Sequence, residues 1–153
     1  MPRVSFCIPT HDGNARCQQY LFDIFHALEH QTNKDFNVWI SDHSKSKKVL
    51  QACQEYADVF EINYVQNTTK YGNISANTNN ALRHGNGDIL KVLFSDDFIL
   101  TTNLTSELDK AFTKDVTWAV TGFAHTLTDG QQHYNPKIPV YNDRLLEGIN
   151  TLS

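Results

Sequence analysis

The chain has 153 residues, 40% of them hydrophobic, with 13 basic against 17 acidic side chains and a net charge of −4. That is enough apolar material for one domain with a core, and the absence of a basic block argues against a nucleic-acid partner. No apolar run reaches the length of a membrane span, and Met1-Pro2-Arg3 leads into a strand rather than a signal peptide, so the expected setting is cytoplasmic.

Val4-Ser5-Phe6-Cys7-Ile8 is a predicted first strand, stopped by Pro9. Leu21, Ile24, Phe25 and Leu28 then fall at i, i+3, i+4 and i+7, one face of an amphipathic helix over roughly 15–31. Phe36 to Ile40 is a second strand, ending at Ser41-Asp42-His43-Ser44, with His43 expected as a solvated loop residue. Lys45-Ser46-Lys47-Lys48 is the densest basic cluster and reads as the solvated start of a helix over about 47–57. Phe60 to Val65 alternates as a third strand, Ser75 to His84 forms a helix, Asp88 to Phe94 a fourth strand, and Thr102 to Phe112 another helix. Further on, Thr117 to Phe123 reads as a strand. Asp129-Gly130 signals a hairpin turn with Gln131 to Tyr134 returning, so His125 and His133 would face each other across it, most simply as exposed residues. Cys7, Cys17 and Cys53 lack metal-ligand spacing, and Cys7 reads as a small buried hydrophobe.

Strands alternating with helices predict an α/β architecture, a mostly parallel central sheet covered on both faces. Ligands of such sheets bind at the carboxyl ends of the strands. That rule gathers Pro9-Thr10-His11-Asp12, Ser41-Asp42-His43-Ser44 and Ser95-Asp96-Asp97 along one edge. The adjacent carboxylates of Asp96 and Asp97 repel each other unless a cation sits beside them, and carboxylates suit Mg²⁺ or Mn²⁺ completed by phosphate oxygens and water. A turn or helix cap is the plainer use of Asp at such a junction. Asp42 with Ser44 could likewise cap the helix starting near Lys47. Asn77, Asn79 and Asn80 are poor helix formers, and their clustering suggests hydrogen-bonding work.

Four segments in order resemble glycosyltransferase family 2 of the GT-A (Rossmann-like) fold. They are Ser5-Phe6-Cys7-Ile8-Pro9-Thr10, Phe36 to Asp42, Tyr71 to Ala81, and Gly87 through Ser95-Asp96-Asp97. The resemblance is good from Arg3 to Leu100 and weak beyond. It implies a nucleotide pocket at Pro9, Thr10 and His11, with Asp42 accepting a hydrogen bond from the base. Ser95 and Asp96 would lie toward the ribose, Asp96 and Asp97 toward the metal, and Asn79 would match the family's Asn by its spacing to Gly87. The implied ligands are a nucleotide-diphospho-sugar, UDP-sugar favoured, with Mn²⁺ or Mg²⁺. Transfer would run with inversion to an acceptor the sequence does not identify.

Two departures stand out. Many members have Arg just before that Asn, where this chain has Thr78, leaving Lys70 or Arg83 as the nearby cations. None of Glu107, Asp109, Asp129, Asp143 or Glu147 matches the family's catalytic base. The expectation is therefore a single domain over 1–153, with the nucleotide-binding core at 1–100 and the start of the acceptor side at 101–153. It would be incomplete at its C-terminal end, and would either need another segment for turnover or act as a non-catalytic nucleotide-sugar-binding half-domain. An uncovered apolar face at that end predicts self-association. A dinucleotide fold is disfavoured, because Pro9-Thr10-His11-Asp12-Gly13 stands where a Gly-x-Gly-x-x-Gly turn would be.

Overall fold

A computed structural model describes residues 1–13, 15–119 and 121, and the backbone of two short strands at 125–126 and 132–133. The chain divides into two compact units, Met1–Asp115 and Val116–Ser153. In the first, β1 (Val4–Thr10), α1 (Cys17–Glu29), β2 (Phe36–Asp42), α2 (Lys48–Glu55), β3 (Ile62–Gln66), α3 (Ile74–His84), β4 (Ile89–Val92) and α4 (Leu104–Ala111) follow one another. The four strands form one parallel sheet in the order β3-β2-β1-β4.

The two faces of that sheet differ in chemistry. Val4, Phe6 and Ile8 of β1 join Val38 and Ile40 of β2 on one face. There they meet Leu21, Ile24, Phe25 and Leu28 of α1, Val49, Ala52 and Cys53 of α2, and Leu108 of α4. All four periodic residues of α1 are buried, so the helix forms because its apolar stripe has this face to cover. Phe6, Phe36, Phe60 and Phe25 chain together through edge-on and tilted ring pairs with centroids 5.5–5.9 Å apart, each worth about 0.5–1.5 kcal/mol beyond area burial.

The opposite face is polar. The Ser5 hydroxyl donates to Asn37 Oδ1 at 2.7 Å, and Asn86 Oδ1 accepts from Asn37 Nδ2 at 2.8 Å and Trp39 Nε1 at 3.3 Å. The backbone N–H of Gly87 reaches the same Ser5 hydroxyl at 2.8 Å. A Cβ on Gly87 would fall 2.7 Å from the Ser5 backbone nitrogen, so glycine is required for this close approach of α3's exit loop to β1.

Three boundaries differ from the sequence reading. Pro9 does not stop β1, which runs on to Thr10 with Pro9 opposite Ser41. Along a parallel strand, successive residues bond to alternate neighbours. Cys7 carbonyl accepts from Leu93 on the β4 side, and Thr10 carbonyl from His43 on the β2 side. The N–H that Pro9 lacks would therefore point to the β4 side, where strand pairing has already ended at Val92. Strand β2 continues through Asp42, and β4 is shorter than expected, ending at Val92 rather than Phe94.

The ends of the chain's first unit are tied by Arg3, which donates to Asp109 at 2.7 Å, Asp88 at 3.2 Å and the Phe112 carbonyl at 3.0 Å. In the second unit, β5 (His125–Thr126) and β6 (Gln132–His133) pair antiparallel with His125 opposite His133, the register the hairpin reading required. Its turn residues Asp129 and Gly130 lie outside the described residues, as do Asp143, Glu147 and positions 120, 122 and 123 of the expected strand at 117–123. Residues 117–119 belong to no regular element. No helix among the described residues is long and apolar enough to cross a membrane.

Candidate functional site

Strand order reverses between β1 and β4, with β2 and β3 lying to one side of β1 and β4 to the other. A crevice opens at the carboxyl ends of the strands at such a point. Here it is a cleft of about 370 Å³. Pro9, Thr10 and His11 line it from the end of β1, Phe94, Ser95 and Asp96 from the end of β4, and Asn77 from α3. Cys17 and Tyr20 of α1 and His43 after β2 complete the wall.

Thr10 is buried, yet its Oγ1 has no hydrogen-bond partner. A buried hydroxyl left unpaired costs about 1–3 kcal/mol, and this one belongs to a residue of the cleft wall. Beside it, His11 Nδ1 accepts the Gly13 N–H at 2.8 Å, which leaves Nε2–H to donate to Tyr71 Oη at 2.9 Å. Tyr71 sits between Lys70 (φ 50°) and Gly72 (φ 75°), two left-handed residues that turn the chain just before α3. That turn sets the Tyr71 ring 5.2 Å from His11 and 6.0 Å from His43, with Lys45 Nζ 4.9 Å from its centroid. So Lys45, expected to be simply solvated, covers an aromatic face. His43 is also not a solvated loop residue: it is buried, and its Nε2–H donates to the Thr69 carbonyl at 3.0 Å.

Asn77 organises the floor. Its Nδ2 donates to the carbonyls of Thr10 at 3.0 Å and Ser41 at 2.9 Å, and its Oδ1 accepts from Ser41 Oγ at 2.7 Å and Asn67 Nδ2 at 3.2 Å. Asn80 adds a bond to Ser41 Oγ at 2.8 Å. Asn79, the residue singled out by spacing, is exposed and does not line the cleft. Two residues from Asn77 is about 200° around a helix, hence the other side. Helix α3 itself starts where the Asn73 side chain accepts the Ala76 N–H at 2.9 Å.

Asp42 is fully buried and does not line the cleft; Oδ1 accepts the Ser44 N–H at 2.7 Å and Oδ2 the Tyr64 hydroxyl at 2.8 Å. Burial, and then this bond to a carboxylate, push the Tyr64 phenol well above its usual range. Asp42 is not the cap of α2, whose first turn follows Lys47 without a side-chain cap. Asp12 accepts the Ser46 N–H at 3.0 Å, and its hydrogen bonding to Ser46 holds its carboxyl below the ordinary range. Asp96 is exposed on the cleft rim. Asp97 is exposed too, but folds back. Its Oδ2 accepts the Phe94 N–H at 3.1 Å while its own N–H donates to the Phe94 carbonyl at 3.0 Å, which makes it the turn residue closing the loop after β4.

The fold and this crevice define an α/β domain with its ligand edge at the switch point of a parallel sheet. The model of glycosyl transferase family 2 matches residues 5–150, and the chain belongs to that family. Among solved structures, it superposes on S. aureus TarS 1-349 in complex with UDP with a TM-score of 0.61 at 22% identity, over 71% of this chain and 31% of that one. The complex of the same protein with UDP-GlcNAc gives 0.58 at 25% identity, over 71% and 30%. A mannosyltransferase from Pyrobaculum calidifontis in complex with GDP-Man and Mn²⁺ gives 0.53 at 22% identity, over 66% and 29%. The fold is thus GT-A, and the chain spans less than a third of each of these structures. A search of curated proteins finds no match.

Proposed function

We propose that the cleft binds the nucleoside diphosphate of a nucleotide-sugar, a UDP-sugar in first place, and that the chain is the donor-binding part of a metal-dependent, inverting glycosyltransferase. The observation that carries this reading is Thr10: a buried, unpaired hydroxyl in the wall of a crevice at the sheet's switch point. A ligand oxygen or ring nitrogen entering there completes its hydrogen bonding. The ring of Tyr71, braced by His11 and His43, offers an aromatic face of the kind bases stack on, and Lys45 places positive charge beside it. Asp42, buried behind the cleft wall, serves this reading by holding the Ser44 backbone and the Tyr64 hydroxyl in place.

The carboxylates fit a hard divalent cation. Asp96 stands exposed on the cleft rim, and Asp97 beside it is exposed with one oxygen engaged by the Phe94 N–H. When bound, Mn²⁺ or Mg²⁺ would supply Lewis-acid stabilisation of the charge on the departing diphosphate. The chain's own residues hold the nucleotide, orient it against β1 and β4, and keep the base end out of water.

Calorimetric titration of UDP into the chain tests this, with Mn²⁺ and with EDTA, on wild type and Asp96→Ala. Metal-dependent binding that Asp96→Ala weakens about tenfold or more supports the assignment. No binding of UDP, GDP or dTDP to folded protein overturns it. Turnover of a UDP-sugar by the same preparation separates a transferase from a half-domain that only holds the donor.

A further inference from the structure

At the far end of α1 from the cleft, His26, Glu29 and His30 form a cluster whose ligand atoms all lie within 4.8 Å of one another. Among the described residues it is the one group of three metal-ligating side chains so close together. We propose that it is a site for a borderline-soft divalent ion of the Zn²⁺ class, separate from the cleft.

Three observations on the page support it. The histidines are one turn apart, on one face of the helix, with ring centroids 4.4 Å apart, and a Glu29 oxygen is 3.7 Å from His26 Nδ1. Ligands around tetrahedral zinc at 2.0–2.1 Å are about 3.4 Å from one another, so small rotations of exposed side chains close the cluster onto an ion. His30 Nδ1–H donates to the His26 carbonyl at 2.8 Å. That bond fixes the ring and leaves the Nε2 lone pair outward, which is how ligating imidazoles are commonly braced. The cluster also closes the C-terminal turn of α1, where the helix dipole favours a cation. Cys17 and Tyr20, which line the cleft, are in the first turn of the helix, about 13 Å and about 9 Å from His26 along the axis.

Occupancy has a structural consequence. The residue after His30 is Gln31, whose buried side chain donates to Ala27 and Thr101 carbonyls at 3.2 and 2.7 Å and accepts the Thr105 N–H at 3.2 Å. An ion held by His26 and His30 pins the turn that presents Gln31, and with it the docking of α4.

The test is titration of Zn²⁺ into tag-free protein by calorimetry, with thermal unfolding in parallel. The expected result is a one-site isotherm and a rise in Tm with Zn²⁺, both retained in Asp96→Asn/Asp97→Asn, which removes the cleft carboxylates. His26→Ala and His30→Ala should each weaken binding about tenfold or more, the scale on which zinc sites respond even to loss of an outer partner. Both variants alter exposed side chains, so their folding is not at issue. Equal binding in wild type and both histidine variants, loss in the aspartate variant alone, or no binding at all overturns the proposal.

Discussion

Asn77 donates to the Thr10 carbonyl at 3.0 Å and to the Ser41 carbonyl at 2.9 Å, so one buried amide of α3 clamps the carboxyl ends of β1 and β2 together. Asn77→Ala would take the acceptor from the buried Ser41 O–H and Asn67 amide, and a donor from the Ser41 carbonyl and from the Thr10 carbonyl, which keeps the His43 N–H. Loss of about 3 kcal/mol is expected in urea unfolding. A change within a few tenths of a kcal/mol would mean that water replaces the amide.

Thr10→Val separates binding from folding. The hydroxyl has no partner in the free protein, so its replacement by a methyl should leave stability unchanged or slightly raised. UDP affinity should fall up to about tenfold, the worth of one hydrogen bond. Lower stability with unchanged affinity would assign Thr10 to the fold alone.

Gly87→Ala forces a Cβ to within 2.7 Å of Ser5 nitrogen and 2.9 Å of Val4 carbonyl carbon. Both neighbours are central-strand backbone and cannot give way cheaply. A cost of about 2–3 kcal/mol is expected, readable as a lower denaturant midpoint with unchanged slope. Gly72→Ala meets no atom within 4 Å, and only its left-handed φ of 75° should cost, about 1 kcal/mol.

Alkali should weaken the protein in a defined window. Burial pushes the Cys7 and Cys53 thiols up from 9.0 to about 12. The folded state therefore keeps protons that the unfolded chain releases, so this contribution is complete below about pH 9 and is lost as pH rises toward 12. Tyr64, raised by burial and by its bond to Asp42, adds to the same decline. Urea midpoints measured from pH 8 to 11 should fall, less steeply in Cys53→Ala. All three cysteines are buried, so thiol reagents at pH 8 should react fully only after unfolding.

Much of the fold was legible because its signals are local. Leu21, Ile24, Phe25 and Leu28 mark α1 by period, and all four are buried. The carboxyl-end rule alone brings Thr10, His11, Ser95 and Asp96 to one edge, and all four line the cleft. Pro9 was misread because its tolerance depends on where β4 stops pairing, a fact lodged eighty residues away in the chain and visible only in the ladder. The Asn77, Asn79 and Asn80 cluster is legible as hydrogen-bonding residues, but α3 has few apolar residues to set its phase, and burial of Ala81 with Asn77 is what turns Asn77 inward. Nothing in the local pattern of Tyr71 tells that it meets His11, His43 and Lys45. The left-handed pair Lys70 and Gly72 brings its ring there, and only Gly72 hinted at it.

The strand order also bears on how the chain is made. Val4 finds its first sheet partner at Phe36 and its second only at Ile89. At roughly 5–20 residues per second, several seconds of synthesis separate the two. Through that interval one side of β1, buried along its whole length in the folded protein, has no neighbour, and a nascent sheet of β1, β2 and β3 offers its margin to any other growing chain. Arrival of the short β4 is the event that covers that side of β1.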